Sequence, residues 1–182
     1  MTIFRMSQIA ASVVSICGYL GVILQAFYKT DRMKIKVNGQ EVEAYALLMQ
    51  RENALEILNG RKTIEIRALN SKYDKMFTDQ KQLELNEELR KAGRESECKA
   101  PYRTDIGYIH FYNYNNSWTL DVAIDEIGMA EMTKAGIEFL NTEFNFHDYD
   151  NEWQQYEGLP EDEIPLFYYL HIVEVVGQTG LR

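Results

Sequence analysis

The chain has 182 residues, 46% of them apolar and 26% charged, with three prolines, a composition that suits one globular domain with a real core and excludes extended disorder. Its two cysteines, Cys17 and Cys98, form no CxxC or Cys/His grouping, which argues against a structural zinc site and a disulfide framework and implies no metal and no cofactor. A net charge of −9 speaks against bulk nucleic-acid binding, because affinity for phosphates comes largely from neutralising them with Lys and Arg.

Residues 6–28 carry no charged side chain and are flanked by Arg5, Lys29 and Arg32. A run of that length could cross a bilayer, although Ser7, Gln8, Ser12, Ser15 and Gln25 dilute it. Three readings of residues 1–32 stay open: a membrane anchor or signal, a helix packed on the domain, or a dispensable extension ahead of a second start at Met33. Without the anchor, the expected location is cytoplasmic.

Residues 33–182 read as the folded domain. Ile35 and Val37 alternate with lysines before Asn38-Gly39, a two-residue hairpin signal, which predicts a hairpin over 33–42. The apolar run 45–49 suits a buried strand, and 51–58 has Ala54, Leu55 and Leu58 at helical spacing before Asn59-Gly60 stops it. Residues 63–67 alternate as a strand, with Ile64 and Ile66 on one face and Thr63, Glu65 and Arg67 on the other. Residues 70–101 are polar and read as an irregular insertion with one helix over about 80–92. A hairpin is predicted over 106–127 around residues 113–117, with Trp118, Leu120, Val122 and Ile124 on its buried face. The stretch 129–144 reads as a helix weakened by Gly136, and 166–176 as an apolar strand ended by Gly177. This order implies an α+β fold, a closed or nearly closed β-barrel with helices at its mouth.

The motif with most chemical content is Gly60-Arg61-Lys62-Thr63-Ile64-Glu65-Ile66-Arg67, which fits G-x-K-x-x-E-x-R. It sets a Lys before a strand and then a Glu and an Arg about 6.6 Å apart along one face. Arg offers a planar fork, Lys a mobile charge, and Glu an acceptor for an exocyclic amine. On spacing alone the same trio also reads as a surface ion pair worth about 0–1 kcal/mol.

Residues 45–67, with the hairpin at 106–127 and the closing strand YYLHIVEVV, resemble the ASCH (activating signal cointegrator homology) domain of the PUA-like superfamily. The resemblance spans about residues 44–176 and is motif-specific only in its first quarter. It implies a small PUA-like β-barrel with a cleft lined by Lys62, Glu65 and Arg67, and a role in binding RNA or a nucleotide-like ligand. One similar branch hydrolyses N4-acetylcytidine and resembles this chain at Gly60, Arg61, Lys62, Thr63 and Arg67. That branch carries a Thr nucleophile where this chain has Glu65, and a helix Glu for which Glu143 is the positional counterpart. The candidate catalytic residues for an amidohydrolase or ribonuclease are therefore Lys62, Glu65 and Glu143, with Thr63 as a substitute nucleophile.

Ligand contacts are also expected from Tyr112 and Tyr114, which could stack on bases, whereas Phe111 and Trp118 read as core. His110, His147 and His171 are too scattered for a metal site, and His110 and His171, within strands, read as hydrogen-bonded structural residues. Charge is uneven along the chain. Residues 51–103 hold 12 Lys and Arg against 10 acids, whereas residues 141–165 hold eight acids and no Lys or Arg. A nucleic-acid contact is thus expected on the motif side. The acidic 141–165 segment, with Phe144, Phe146, Tyr149, Trp153 and Tyr156, is instead a candidate surface for a protein partner.

Overall fold

The structure, a computed structural model, describes residues 32–181. The expectations for the hydrophobic N-terminal segment lie outside the described residues, apart from Arg32. Among the described residues no helix is long and apolar enough to cross a membrane.

The hairpin forms as predicted, with β1 (Arg32–Val37) and β2 (Gln40–Leu48) paired antiparallel through Asn38 and Gly39. Both turn residues take positive φ, 52° and 82°, which matches the right-handed twist of the two strands. The predicted buried strand at 45–49 is the continuation of β2. The helix α1 (Arg51–Leu58) buries Ala54 and Ile57 and ends with Asn59 N–H donating to Leu55 O. The strand β3 (Ile64–Ala68) follows directly.

In the 70–101 segment a helix that was not expected, α2 (Ser71–Phe77), precedes the expected one, which forms as α3 (Gln80–Lys91). The Asn70 side chain accepts from the backbone N–H groups of Lys72 and Tyr73, and Asp79 does the same for Lys81 and Gln82, so each helix starts on a capping residue. Polar composition hid α2 because its apolar content is concentrated in Tyr73, Met76 and Phe77. Phe77 is fully buried among Tyr45, Tyr73 and Tyr168. On α3, Leu89 is buried while Leu85 is exposed, and the buried Asn86 is held by Gln82 and by the backbone of Lys99.

The second hairpin comprises β4 (Tyr108–Tyr112) and β5 (Thr119–Glu131), with Trp118, Leu120, Val122 and Ile124 buried as expected. β5 runs on through residues read as the start of a helix. That helix, α4, spans only Lys134–Phe144, where the Thr133 hydroxyl accepts from Gly136 N–H at 3.1 Å and sets its first turn. The last strand, β6 (Leu166–Thr179), passes through Gly177 instead of ending there.

The fold is α+β, but its strands do not close into a barrel. They form one six-stranded mixed sheet in the order β1-β2-β4-β5-β6-β3, with β2 parallel to β4 and the other pairs antiparallel. β1 pairs with β2 from Gln40 to Tyr45. Only the end of β2 is left to meet β3, and there a side chain makes the connection: Arg67 Nη2 donates to Leu48 O at 2.9 Å.

Two cores result. The larger gathers Tyr45, Leu47, Phe77, Ile109, Phe111, Trp118, Leu120 and Leu170, among others, over the face that α1 and α2 cover. The smaller packs Ile137 and Leu140 of α4 against Ile64, Phe167 and Tyr169. Alternation along β3 sends Ile64 into the smaller core. Glu65 and Arg67 go to the other face, opposite Leu170 and Tyr168 in the ladder.

Gly128 lies under the Tyr169 ring, where an added methyl would overlap the phenol carbons and hydroxyl. The Tyr169 hydroxyl donates to Glu126 Oε1 at 2.6 Å, so the ring cannot swing aside without breaking that bond. Gly128→Ala is therefore expected to destabilise the fold by about 1–3 kcal/mol, the usual range for overpacking. Urea unfolding checks this, and an unchanged midpoint would refute the close approach.

Candidate functional site

The motif forms a charged cluster on the covered face of β3. Glu65 is only 5% exposed. Its Oε1 lies 2.9 Å from Arg67 Nη2, and its Oε2 lies 3.5 Å from Lys62 Nζ. The side chains of Lys62 and Arg67 are themselves 10% and 14% exposed. This is no surface ion pair of marginal value. Deleting one member of a buried pair typically costs about 3–5 kcal/mol, because the remaining charge stays desolvated.

Each member is positioned by a different element. Lys62 follows the α1 stop, where the N–H groups of Arg61 and Lys62 both bond Glu56 O. Arg67 reaches three ways: to Glu65, to Leu48 O of β2, and to the Tyr73 hydroxyl of α2 at 3.4 Å, with its guanidinium 5.8 Å from the Tyr73 ring centroid. Beside Lys62 a recess of about 90 Å³ opens between residues 61–63 and 144–148, lined by Glu56, Arg61, Lys62, Asn145 and Asp148 among others. It is smaller than the roughly 300 Å³ at which small-molecule pockets begin, so it suits one group of a ligand better than a whole one.

Two polar atoms in the cluster are buried without a hydrogen-bond partner, Glu65 Oε2 and Arg67 Nε. One is an acceptor and the other a donor. Burial pushes the Glu65 carboxyl above its ordinary range, against the opposing pull of Arg67 and then Lys62.

The other sequence candidates are dispersed. The Thr63 hydroxyl donates to Phe144 O at 2.8 Å, tying the start of β3 to the last residue of α4. Glu143 is exposed on α4, and the carboxylate that approaches Lys62 is Asp148, at 4.0 Å. Tyr112 alternates with the buried Phe111, which sends its ring to the opposite sheet face, where it stacks on His110. Tyr114 is 92% exposed on the β4–β5 turn. Neither tyrosine joins the motif cluster.

Tyr73, Asp148 and the Leu48 carbonyl were missed. Tyr73 was open to discovery, since Asn70 is a helix-capping signal three residues before it, whereas Asp148 is brought in by a contact spanning most of the domain. Each histidine has a carboxylate partner: His110 with Asp121 at 2.5 Å, His171 with Asp125 at 2.7 Å and His147 with Asp150 at 3.3 Å. Among the described residues no group of three His, Cys, Asp or Glu could hold a metal ion.

The Glu65 shift has a sign that can be measured. With its folded-state pKa raised above the unfolded value, the native state holds a proton longer than the unfolded chain does. Stability from this group is present at low pH and declines as pH rises from the ordinary glutamate value of 4.5 through the raised one. Chemical denaturation of the wild type against Glu65→Gln across pH 4–9 should show the wild type losing ground as pH rises over that window. A wild type that gains ground over the same window would show the two cations outweighing burial.

Compared with known proteins, the chain matches no protein-family model, no curated protein and no solved structure.

Proposed function

We propose that this domain is an ASCH-type, PUA-like binding module whose charged cluster recognises a nucleoside or an unpaired RNA base. The observation that carries the reading is a buried donor without an acceptor, Arg67 Nε, beside a buried acceptor, Glu65 Oε2, that makes no hydrogen bond and meets Lys62 Nζ as an ion pair at 3.5 Å. An acceptor beside a donor complements the amine-plus-ring-nitrogen edge of cytosine or adenine. Leaving a buried donor such as Arg67 Nε without an acceptor costs about 1–3 kcal/mol, which a ligand edge would recover.

Charge agrees with this. Lys62 and Arg67 outnumber the single buried carboxylate between them, so the cluster favours a ligand with an anionic or electron-rich group nearby. Residues 51–103 are near-even in charge, and of the acids in 141–165 the one that approaches the cluster is Asp148, 4.0 Å from Lys62.

A hydrolytic reading rests on one observation, the raised proton affinity that burial gives Glu65, which makes the carboxyl a candidate for proton transfer. Its weakness is the nucleophile. Thr63 is engaged with Phe144 O, so attack would have to come from water.

Binding of nucleosides and short single-stranded RNAs, measured by calorimetry or fluorescence anisotropy, tests the reading. Lys62→Gln is the preferred variant because Lys62 Nζ meets Glu65 and Asp148 at 3.5 and 4.0 Å and, unlike Arg67, ties no backbone carbonyl among the described residues. It should weaken binding roughly tenfold or more, in line with a charge-assisted contact of about 1.5–3 kcal/mol. Arg67→Ala should abolish binding, with a thermal melt reporting the separate cost of losing the Leu48 tie. Negligible binding by the wild type, or equal binding by Lys62→Gln, would discard the module. Release of acetate from N4-acetylcytidine by the wild type would replace it with the enzyme.

A further inference from the structure

A second feature lies away from the motif, where the connection between α4 and β6 folds over the end of β5. Met132, Trp153, Tyr156 and Ile164 wall a recess of about 210 Å³. Trp153 and Tyr156 come from one 3-10 turn, Glu152–Tyr156, and both are half-buried. The Trp153 indole N–H donates to Asp150 O at 2.9 Å, so the one polar atom of that side chain is already engaged. Its ring is left as an apolar wall.

The rim is acidic. Glu157 lines the recess, and Glu161, Asp162 and Glu163 form the next 3-10 turn, all of them exposed. The one cation in the lining, Lys134, lies 6.0 Å from the Trp153 ring centroid and 3.7 Å from Glu138, so its charge is answered locally. The apolar recess is thus walled in part by a segment, 141–165, with eight acids and no Lys or Arg.

We propose that this recess docks a basic segment of a partner protein, with one apolar side chain inserted between Trp153 and Ile164 and flanking Lys or Arg residues against the acidic rim. The apolar walls select the anchor, because a desolvated aromatic pocket is where interface energy concentrates. The rim selects the cationic flanks and speeds their arrival, adding little per exposed pair. The same rim repels RNA, which separates this surface from the motif cluster.

The test uses the full chain and labelled peptides in which one Phe is flanked by Lys and Arg, the same peptide with Ala for Phe, and one with Glu for the basic residues. The Phe peptide should bind roughly tenfold or more tightly than the Ala peptide, and the Glu peptide not at all. Met132→Lys, which fills and charges the recess, should abolish the preference for Phe. Glu161→Lys with Asp162→Lys alters only exposed side chains, so it should leave the melting temperature unchanged and still weaken binding and flatten its salt dependence. Lys62→Gln should bind the Phe peptide as the wild type does. Equal binding of the Phe and Ala peptides would reduce the surface to general charge attraction and overturn the proposal. So would no binding of any peptide at low salt, an undiminished Phe preference in Met132→Lys, or an RNA oligonucleotide whose binding Met132→Lys abolishes.

Discussion

The placement of Glu65 on a strand covered on both sides constrains everything around it. β3 sends Ile64 into one core and Glu65 toward the other, so the carboxylate has almost no access to solvent. A buried charge persists only with partners, and Lys62 and Arg67 are those partners. Arg67 then does what a Lys there could not. Its planar fork meets the Glu65 carboxylate, the Leu48 carbonyl and the Tyr73 hydroxyl together, joining β3, β2 and α2 through one side chain. The two ends of an open sheet are brought near each other by this contact, in place of a ladder that β1 has partly occupied.

The same constraint gives α2 its importance. The segment that contains it reads as a polar, irregular insertion, yet Phe77 is fully buried and Tyr73 lies against the guanidinium of Arg67. The Tyr168 hydroxyl donates to Asp74 Oδ1 at 2.9 Å, which fixes α2 on β6, the strand that pairs with β3. On the other side of β3, the Thr63–Phe144 bond fixes the end of α4. The charged cluster therefore sits among elements that are each anchored independently, and its geometry does not depend on a free loop.

Charge divides the surface into two kinds. Around the motif, cations exceed anions within a buried cluster. Along 145–165, acids stand over an aromatic recess with Lys134 as the one base at its edge. The two features therefore differ in charge and in exposure within a single small domain.

Local structure was largely legible in the sequence, because it follows from spacing and turn chemistry alone. The Asn38-Gly39 hairpin, α1 with its Asn59-Gly60 stop, the β3 alternation and the buried stripe from Trp118 to Ile124 all rest on interactions within a few residues. The motif residues were found the same way, as were Phe111 and Trp118 in the core. Tertiary structure decided the rest. Whether Glu65 faced water or a core depended on what packed over β3, and that came from α1, α2 and residues far along the chain. The exchange of Glu143 for Asp148 beside Lys62 depended on how the end of α4 packs on β3, and the departure of Tyr112 from the cluster on how sheet faces alternate once strands are paired. Closure into a barrel depended on which edge β1 occupied. Sequence spacing determines which side chains share a face of one element; only the packing of elements decides which faces meet and which of them lose their water.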